Sequence, residues 1–203
     1  METLFLARHA LAGSNRDGTA SSRAPGEGLT EAGREQARRL GAQLSGEPIE
    51  LGMATPFRRT QETLALALAG RGVPRAVVAE LGEIRFGAFD GGPLADYREW
   101  AASSSPSAPA PGGGESRAQA AARFARGLEL VLARPERTVL VVAHALVVRY
   151  VLDAARGLVP AARMEAVEHA VPARLSATEV AAAAELLAGW SLAPRFRAPS
   201  DGG

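Results

Sequence analysis

Val139-Leu140-Val141-Val142-Ala143 constrains the fold of this chain more than any other stretch. β-Formers fill its first four places, Arg137-Thr138 precede it and His144 follows, which predicts a strand buried on both faces. A strand this apolar belongs in a helix-covered, mostly parallel sheet. Leu4-Phe5-Leu6-Ala7 repeats the pattern and ends on Arg8-His9, with a Gly, Ser and Asn-containing loop running on through Asn15. Two predicted strands thus end in a histidine. In open α/β sheets the residues just past a strand's C-terminal end face the ligand crevice.

The chain between these strands alternates. Thr30 offers an N-cap, Glu31 suits a first turn, and Ala37, Leu40 and Leu44 recur at helical spacing toward Gly46 and Pro48. Ile49 to Ala54 reads as a strand, and Thr55-Pro56 opens a helix that runs to Gly70. Arg75 to Ala79 is a third strand candidate. Residues 10–28 read as loop, and 81–115 as an irregular stretch with a short polar helix around Leu94–Trp100. Within it, Ser103 to Gly114 is a Ser/Pro/Ala/Gly tract expected to form no packed element. Helical spacing returns from Ser116 to Ala133 and from Leu146 to Ala155, the latter closed by Gly157. Ser176-Ala177-Thr178-Glu179 is a capping-box pattern opening a last helix to Trp190. The expectation is an α/β fold: one domain over 1–203, a three-layer α/β/α sandwich with a mostly parallel sheet, and a lid-like insertion around 84–116.

Composition removes several function classes. There is no Cys, so disulfide scaffolds, thiolate metal sites and cysteine nucleophiles are excluded. The three histidines, His9, His144 and His169, have no metal-ligand spacing, and no metal or other cofactor is expected. Net charge is +1 and every cationic side chain other than His is Arg, which gives no global pull toward nucleic acid or acidic membranes. Arg's planar fork does suit bidentate capture of phosphate. No basic leader region precedes the first apolar run, and no window nears the roughly 18 apolar residues of a membrane span. A cytoplasmic protein without nucleic-acid or membrane partners is the expectation.

Four places carry related chemistry. Arg8-His9 and His144 follow strands, Thr55-Pro56-Phe57-Arg58-Arg59 puts arginine in the first turn of a helix, and Glu83 stands where the irregular stretch begins. Helix N-termini favour anions, and arginine strengthens the effect. Brought to one sheet edge, these residues suit phosphoryl transfer: a nucleophile, a cationic cradle and an acid for the leaving group. Arg58 reads as a surface neighbour of Arg59, and nothing in the sequence places His169 near the others.

The pattern resembles the histidine phosphatase superfamily, also called the phosphoglycerate mutase-like family. Its Arg-His-Gly-x-x-x-x-Asn is matched by Arg8-His9-Ala10 through Asn15, and its Leu-Thr-x-x-Gly-x-x-Gln-Ala in full by Leu29 through Ala37. Its Ser-Pro-Leu-x-Arg-Ala-x-x-Thr appears as Thr55-Pro56 through Thr63, and its acid segment as Glu83 through Gly87 with Phe89-Asp90-Gly91. Gly114-Glu115-Ser116 and Val141-Val142-Ala143-His144 complete the order. The resemblance implies a phosphoglycerate mutase-like fold with His9 as nucleophile, Arg8, Arg59 and His144 holding the phosphoryl group, Asn15 as a lesser contact and Glu83 as proton donor. It implies a metal-independent phosphatase acting on a small phosphorylated metabolite through a phosphohistidine. A cofactor-dependent phosphoglycerate mutase and a non-catalytic phosphate-binding member are the rival readings, and a homodimer is compatible with either. Two departures stand out. Ala10 and Ala145 replace the glycines that usually follow each histidine, and the methyl groups are expected to narrow the phosphate pocket. The helix after Ser176 also replaces a strand usually found near there.

Overall fold

A computed structural model describes residues 1–198; the upper end of the expected 1–203 domain lies outside the described residues. Five strands form one sheet: β1 (Thr3–Arg8), β2 (Leu51–Ala54), β3 (Arg75–Val77), β4 (Thr138–Ala143) and β5 (Pro172–Ser176), in the order β3-β2-β4-β1-β5. All neighbours are parallel except β5, which runs antiparallel to β1 along the edge. The strand-to-histidine stretches are therefore adjacent. β1 and β4 pair with Arg8 opposite Ala143, so His9 and His144 leave the sheet side by side. The His9 N–H continues the ladder onto the Ala143 carbonyl at 2.9 Å.

The pleat sends alternate side chains into two cores. Leu4, Leu6, Val139 and Val141 pack on one face under α5 (Arg117–Leu132), α6 (Ala145–Ala154) and α7 (Ala177–Leu192). Phe5, Ala7, Leu140 and Val142 pack on the other under α2 (Glu31–Gln43) and α3 (Arg58–Ala67). These two faces make the three layers. Leu4, Leu6, Leu140 and Val141 are fully buried, each worth roughly 1.5–3 kcal/mol of burial.

The remaining α-helices are α1 (Gly13–Arg16), a single turn inside the stretch expected to be loop, and α4 (Leu94–Ser103). Residues 104–116 carry no helix or strand, yet the tract is tied to the body of the domain at Ala110 and Pro111. Ala110 is 2% exposed, and the Pro111 carbonyl accepts from the Ala88 N–H at 2.7 Å. Gly87 makes that contact feasible. Its φ is +61°, and a Cβ there would strike the Pro111 oxygen. At the C-terminal end both the usual strand and the capping-box helix are present. β5 ends on Ser176, whose hydroxyl accepts from the Glu179 N–H to start α7. The Pro-Ala-Arg-Leu-Ser sequence of β5 lacks strand formers and holds its place by pairing along β1, not by propensity.

Candidate active site

His9 and His144 face one another past the ends of β1 and β4, with ring centroids 5.3 Å apart. His9 is 2% exposed and His144 fully buried. Their protonation follows from their partners. The His9 Nδ1 lies 2.8 Å from the Ala10 carbonyl, which only accepts, so Nδ1 carries the proton and Nε2 holds a lone pair. Arg59 donates from Nε to that lone pair at 3.2 Å. It also approaches the His144 Nδ1 with Nη2 at 3.2 Å, and a guanidinium only donates. His144 is thus protonated on Nε2, which donates to the Thr55 hydroxyl at 2.9 Å; Thr55 passes its own proton to the Thr60 hydroxyl. The two imidazoles are opposite tautomers.

Arg59 reaches this position from the first turn of α3, stacked over Phe57 at 4.5 Å and anchored by Nη2 on the Ser21 carbonyl at 3.0 Å. Its Nη1 is buried without a partner. Arg58 beside it points outward to Glu62 at 2.8 Å, as expected. Arg8 donates from Nη1 to the Val167 carbonyl at 2.7 Å and leaves Nε unpartnered. Glu83 accepts from the Ile84 N–H and lies 3.6 Å from the His144 Nδ1. Asn15, in α1, lines the same cavity, with Oδ1 occupied by the Ala12 N–H at 3.1 Å. Arg8, His9, Asn15, Arg59 and Glu83 all border this cavity of about 60 Å³. His144 sits behind Arg59 and contributes no wall.

Burial sets the charge states. It holds the His9 imidazole well below the usual histidine range, with Arg59 and Arg8 adding to the effect. His144 is held down in the same way, by burial first and by Arg59 second. Burial lifts the Glu83 carboxyl above its usual range, against the pull of Arg59, the Ile84 N–H and Arg8. It pushes the Arg8 guanidinium down to about 10, with Glu83 resisting. The shifts run toward a neutral imidazole and a carboxyl that keeps its proton to higher pH, the directions that nucleophilic attack with acid assistance requires.

Two supports keep the pieces in register. Loop 10–15 is braced by α2: the Leu11 N–H donates to the Gln36 side chain at 2.8 Å, and the Thr30 N–H to the Leu11 carbonyl at 3.0 Å. Gly33 lies so close that a Cβ there would overlap the Leu11 carbonyl. Glu83 is fixed from behind by Arg123, which donates to the carbonyls of Glu80, Gly82 and Glu83 at 2.8, 2.9 and 3.2 Å. Arg123 in turn forks onto the buried Glu115 at 2.9 and 2.7 Å.

Two expectations need correction. Ala10 does not narrow the cavity. It is fully buried among Phe5, Ala7 and Leu29 in the core and is absent from the cavity wall, while only Ala145 borders it. Neither alanine has a positive φ; among the described residues the sole non-glycine that does is Ala170, at 56°. His169, set aside in the sequence, is beside His9, with ring centroids 5.7 Å apart. Its Nδ1 donates to the His9 carbonyl at 2.8 Å, and the Ala170 N–H donates to the Arg8 carbonyl at 3.0 Å. The left-handed turn at Ala170 thus clamps the backbone of the Arg8-His9 pair. Tyr97, Arg98, Arg117 and Met164 also border the cavity unforeseen. Arg117 left one sequence signal: an arginine directly after a helix-capping serine, where positive charge opposes the helix dipole.

The chain is similar to known proteins in sequence and in fold. A family model described as the histidine phosphatase superfamily (branch 1) matches residues 4–192. An adenosylcobalamin/alpha-ribazole phosphatase of Escherichia coli K12 is 37% identical over 87 residues, which span 43% of this chain and 42% of that protein. The match thus covers less than half the length of that curated relative. A candidate alpha-ribazole-5'-P phosphatase from E. coli K-12 superposes with a TM-score of 0.76 at 27% identity, over 86% of this chain and 90% of that one. A mycobacterial glucosyl-3-phosphoglycerate phosphatase in complex with VO3 superposes with a TM-score of 0.71 at 25% identity, over 87% and 91%.

Proposed function

The chain belongs to the histidine phosphatase superfamily, and on that premise we propose that it is a metal-independent phosphatase hydrolysing small phosphomonoesters through a phosphohistidine on His9. The observation that carries the reading is the tautomer of His9. With Nδ1–H committed to the Ala10 carbonyl, the Nε2 lone pair is the only one available to attack phosphorus. An arriving phosphoryl group competes for the Arg59 N–H that now caps this lone pair, so binding and activation of the nucleophile coincide. Arg8 Nε and Arg59 Nη1 bring unspent donors to the equatorial oxygens.

In the first step His9 Nε2 bonds to phosphorus as the bond to the alcohol oxygen breaks, and the Glu83 carboxyl delivers its proton to that oxygen. In the second, Glu83 carboxylate takes a proton from the attacking water and the N–P bond breaks, releasing phosphate. His144 acts through Arg59, whose Nη2 it holds on its Nδ1 lone pair. Residues 84–116 serve as the wall against the alcohol, through Ile84, Phe86, Leu94 and Tyr97. The phosphatase names of the similar proteins support hydrolysis over mutase transfer. Turnover of p-nitrophenyl phosphate without added metal is the test. His9→Ala should reduce it about 10³-fold or more and abolish acid-labile labelling by a radioactive phosphomonoester. Unchanged turnover in that variant would discard the reading.

A further inference from the structure

A second chamber of about 230 Å³ lies against the cavity at His9, and the two share Arg8, Arg98, Arg117, Ala145 and Met164 as lining. Arg8, Arg98, Arg117 and Arg163 border this second chamber against a single carboxylate, Glu165. Glu165 is largely exposed and is held at 3.1 Å by Arg149, outside the cluster. The concave wall therefore carries uncompensated positive charge.

Arg117 is the most demanding member. Its side chain is 7% exposed. It touches the Tyr150 hydroxyl at 3.3 Å and lies over the Tyr97 ring at 5.9 Å. Its Nε is buried without a partner, as is the hydroxyl of Tyr97, which borders the cavity at His9. Among the described residues no carboxylate pairs with Arg98, Arg117 or Arg163. A buried, unpaired guanidinium is costly, and the cost falls only when a counter-charge arrives. Arginine's rigid fork selects planar or tetrahedral oxyanions for that role.

We infer that the second chamber is an anion subsite, in which Arg117, Arg98 and Arg163 take a second anionic group carried on the alcohol portion of the phosphomonoester whose phosphoryl group meets His9. This rests on the phosphatase reading and narrows it to bis-anionic substrates, the second group being a carboxylate or a phosphate.

The test uses matched substrate pairs and phosphate release. 3-Phosphoglycerate and glycerol 3-phosphate differ by a carboxylate; fructose 1,6-bisphosphate and fructose 1-phosphate differ by a phosphate. In one pair kcat/KM should favour the bis-anion at least tenfold, and which pair does so identifies the group. Arg117→Met should abolish the preference, and Arg98→Ala and Arg163→Ala should each shrink it several-fold. Those two arginines are exposed, so their variants carry the test if Arg117→Met does not fold. If p-nitrophenyl phosphate is hydrolysed but neither pair shows a preference, the subsite is overturned and the phosphatase stands. If nothing is hydrolysed, the phosphatase falls. Calorimetric titration with the same pairs then decides the subsite: tighter binding of a bis-anion supports it, and equal affinities overturn it.

Discussion

On the floor of the cavity every ring nitrogen of His9 and His144 has a partner, drawn from the Ala10 carbonyl, Arg59 and Thr55. On the wall, Arg117 Nε and the Tyr97 hydroxyl are buried with none, while on the floor only the arginines Arg8 and Arg59 keep one such donor each, Nε and Nη1. The floor is built from strand ends and a helix start, elements fixed by sheet register and core packing. The wall comes from α4 and the start of α5, which pack into the larger core, and from the 163–167 segment, which has neither helix nor strand. Reaction geometry is thus preorganised whatever the substrate, while recognition is left with unsatisfied capacity for one.

Glu83 stands at the border of the two and gives the largest test of that division. Glu83→Gln should slow hydrolysis of alkyl phosphates by about 10²–10⁴-fold while slowing p-nitrophenyl phosphate far less, since p-nitrophenolate leaves without a proton. The same variant should lose the alkaline limb of the pH profile. With Glu83 raised above its ordinary 4.5 and His9 lowered below its ordinary 6.5, both working forms coexist in mildly acidic solution. Alkyl phosphatase activity falls as pH rises through the Glu83 pKa and as it drops through that of His9. Equal losses on both substrate types would make Glu83 a mere part of the wall.

Glu115→Gln tests how the wall is tied to the floor. The change leaves Arg123 without its buried counter-ion, and loss of one partner of such a pair costs about 3 kcal/mol. Thermal unfolding should register that loss. Because Arg123 also holds the Glu83 backbone, kcat on alkyl phosphates should fall more than KM rises. A stability loss with an unaltered leaving-group dependence would separate the two regions. Ala10→Gly is the smallest test and concerns the floor alone. Removing a buried methyl and adding backbone freedom should cost about 1–2 kcal/mol, with turnover of p-nitrophenyl phosphate within about twofold. A large gain in turnover would return that methyl to the phosphate pocket.

The same division governs what the sequence discloses. Apolar strands, caps and the order of the motifs identify the layers and bring Arg8, His9, Arg59, Glu83 and His144 together, since each sits at the end of an element with a readable pattern. Leu29 through Ala37 reads as a motif, but that it braces Leu11 emerges only from contacts distant in sequence. His169 and Ala170 follow no periodicity. Their placement depends on β5 pairing with β1, and β5 has no strand propensity of its own. Tyr97, Arg98 and Arg163 carry no pattern in the sequence; α4 and the irregular 163–167 segment bring them to the two chambers. Ala10 is the converse case: local comparison with a glycine pointed to the pocket, whereas burial beneath the strand points its methyl into the core.

Arg59 stands between two lone pairs, one on each histidine, and its charge depresses the basicity of both. A bound oxyanion that takes over those guanidinium protons and neutralises the charge makes both imidazoles more basic at once. Association with an unreactive phosphate analogue should then draw protons from solution, and the observed heat should vary with the ionisation enthalpy of the buffer. Affinity and acidity are one linked equilibrium in this pocket, so acidification tightens its hold on phosphate until the imidazoles take up protons without a ligand.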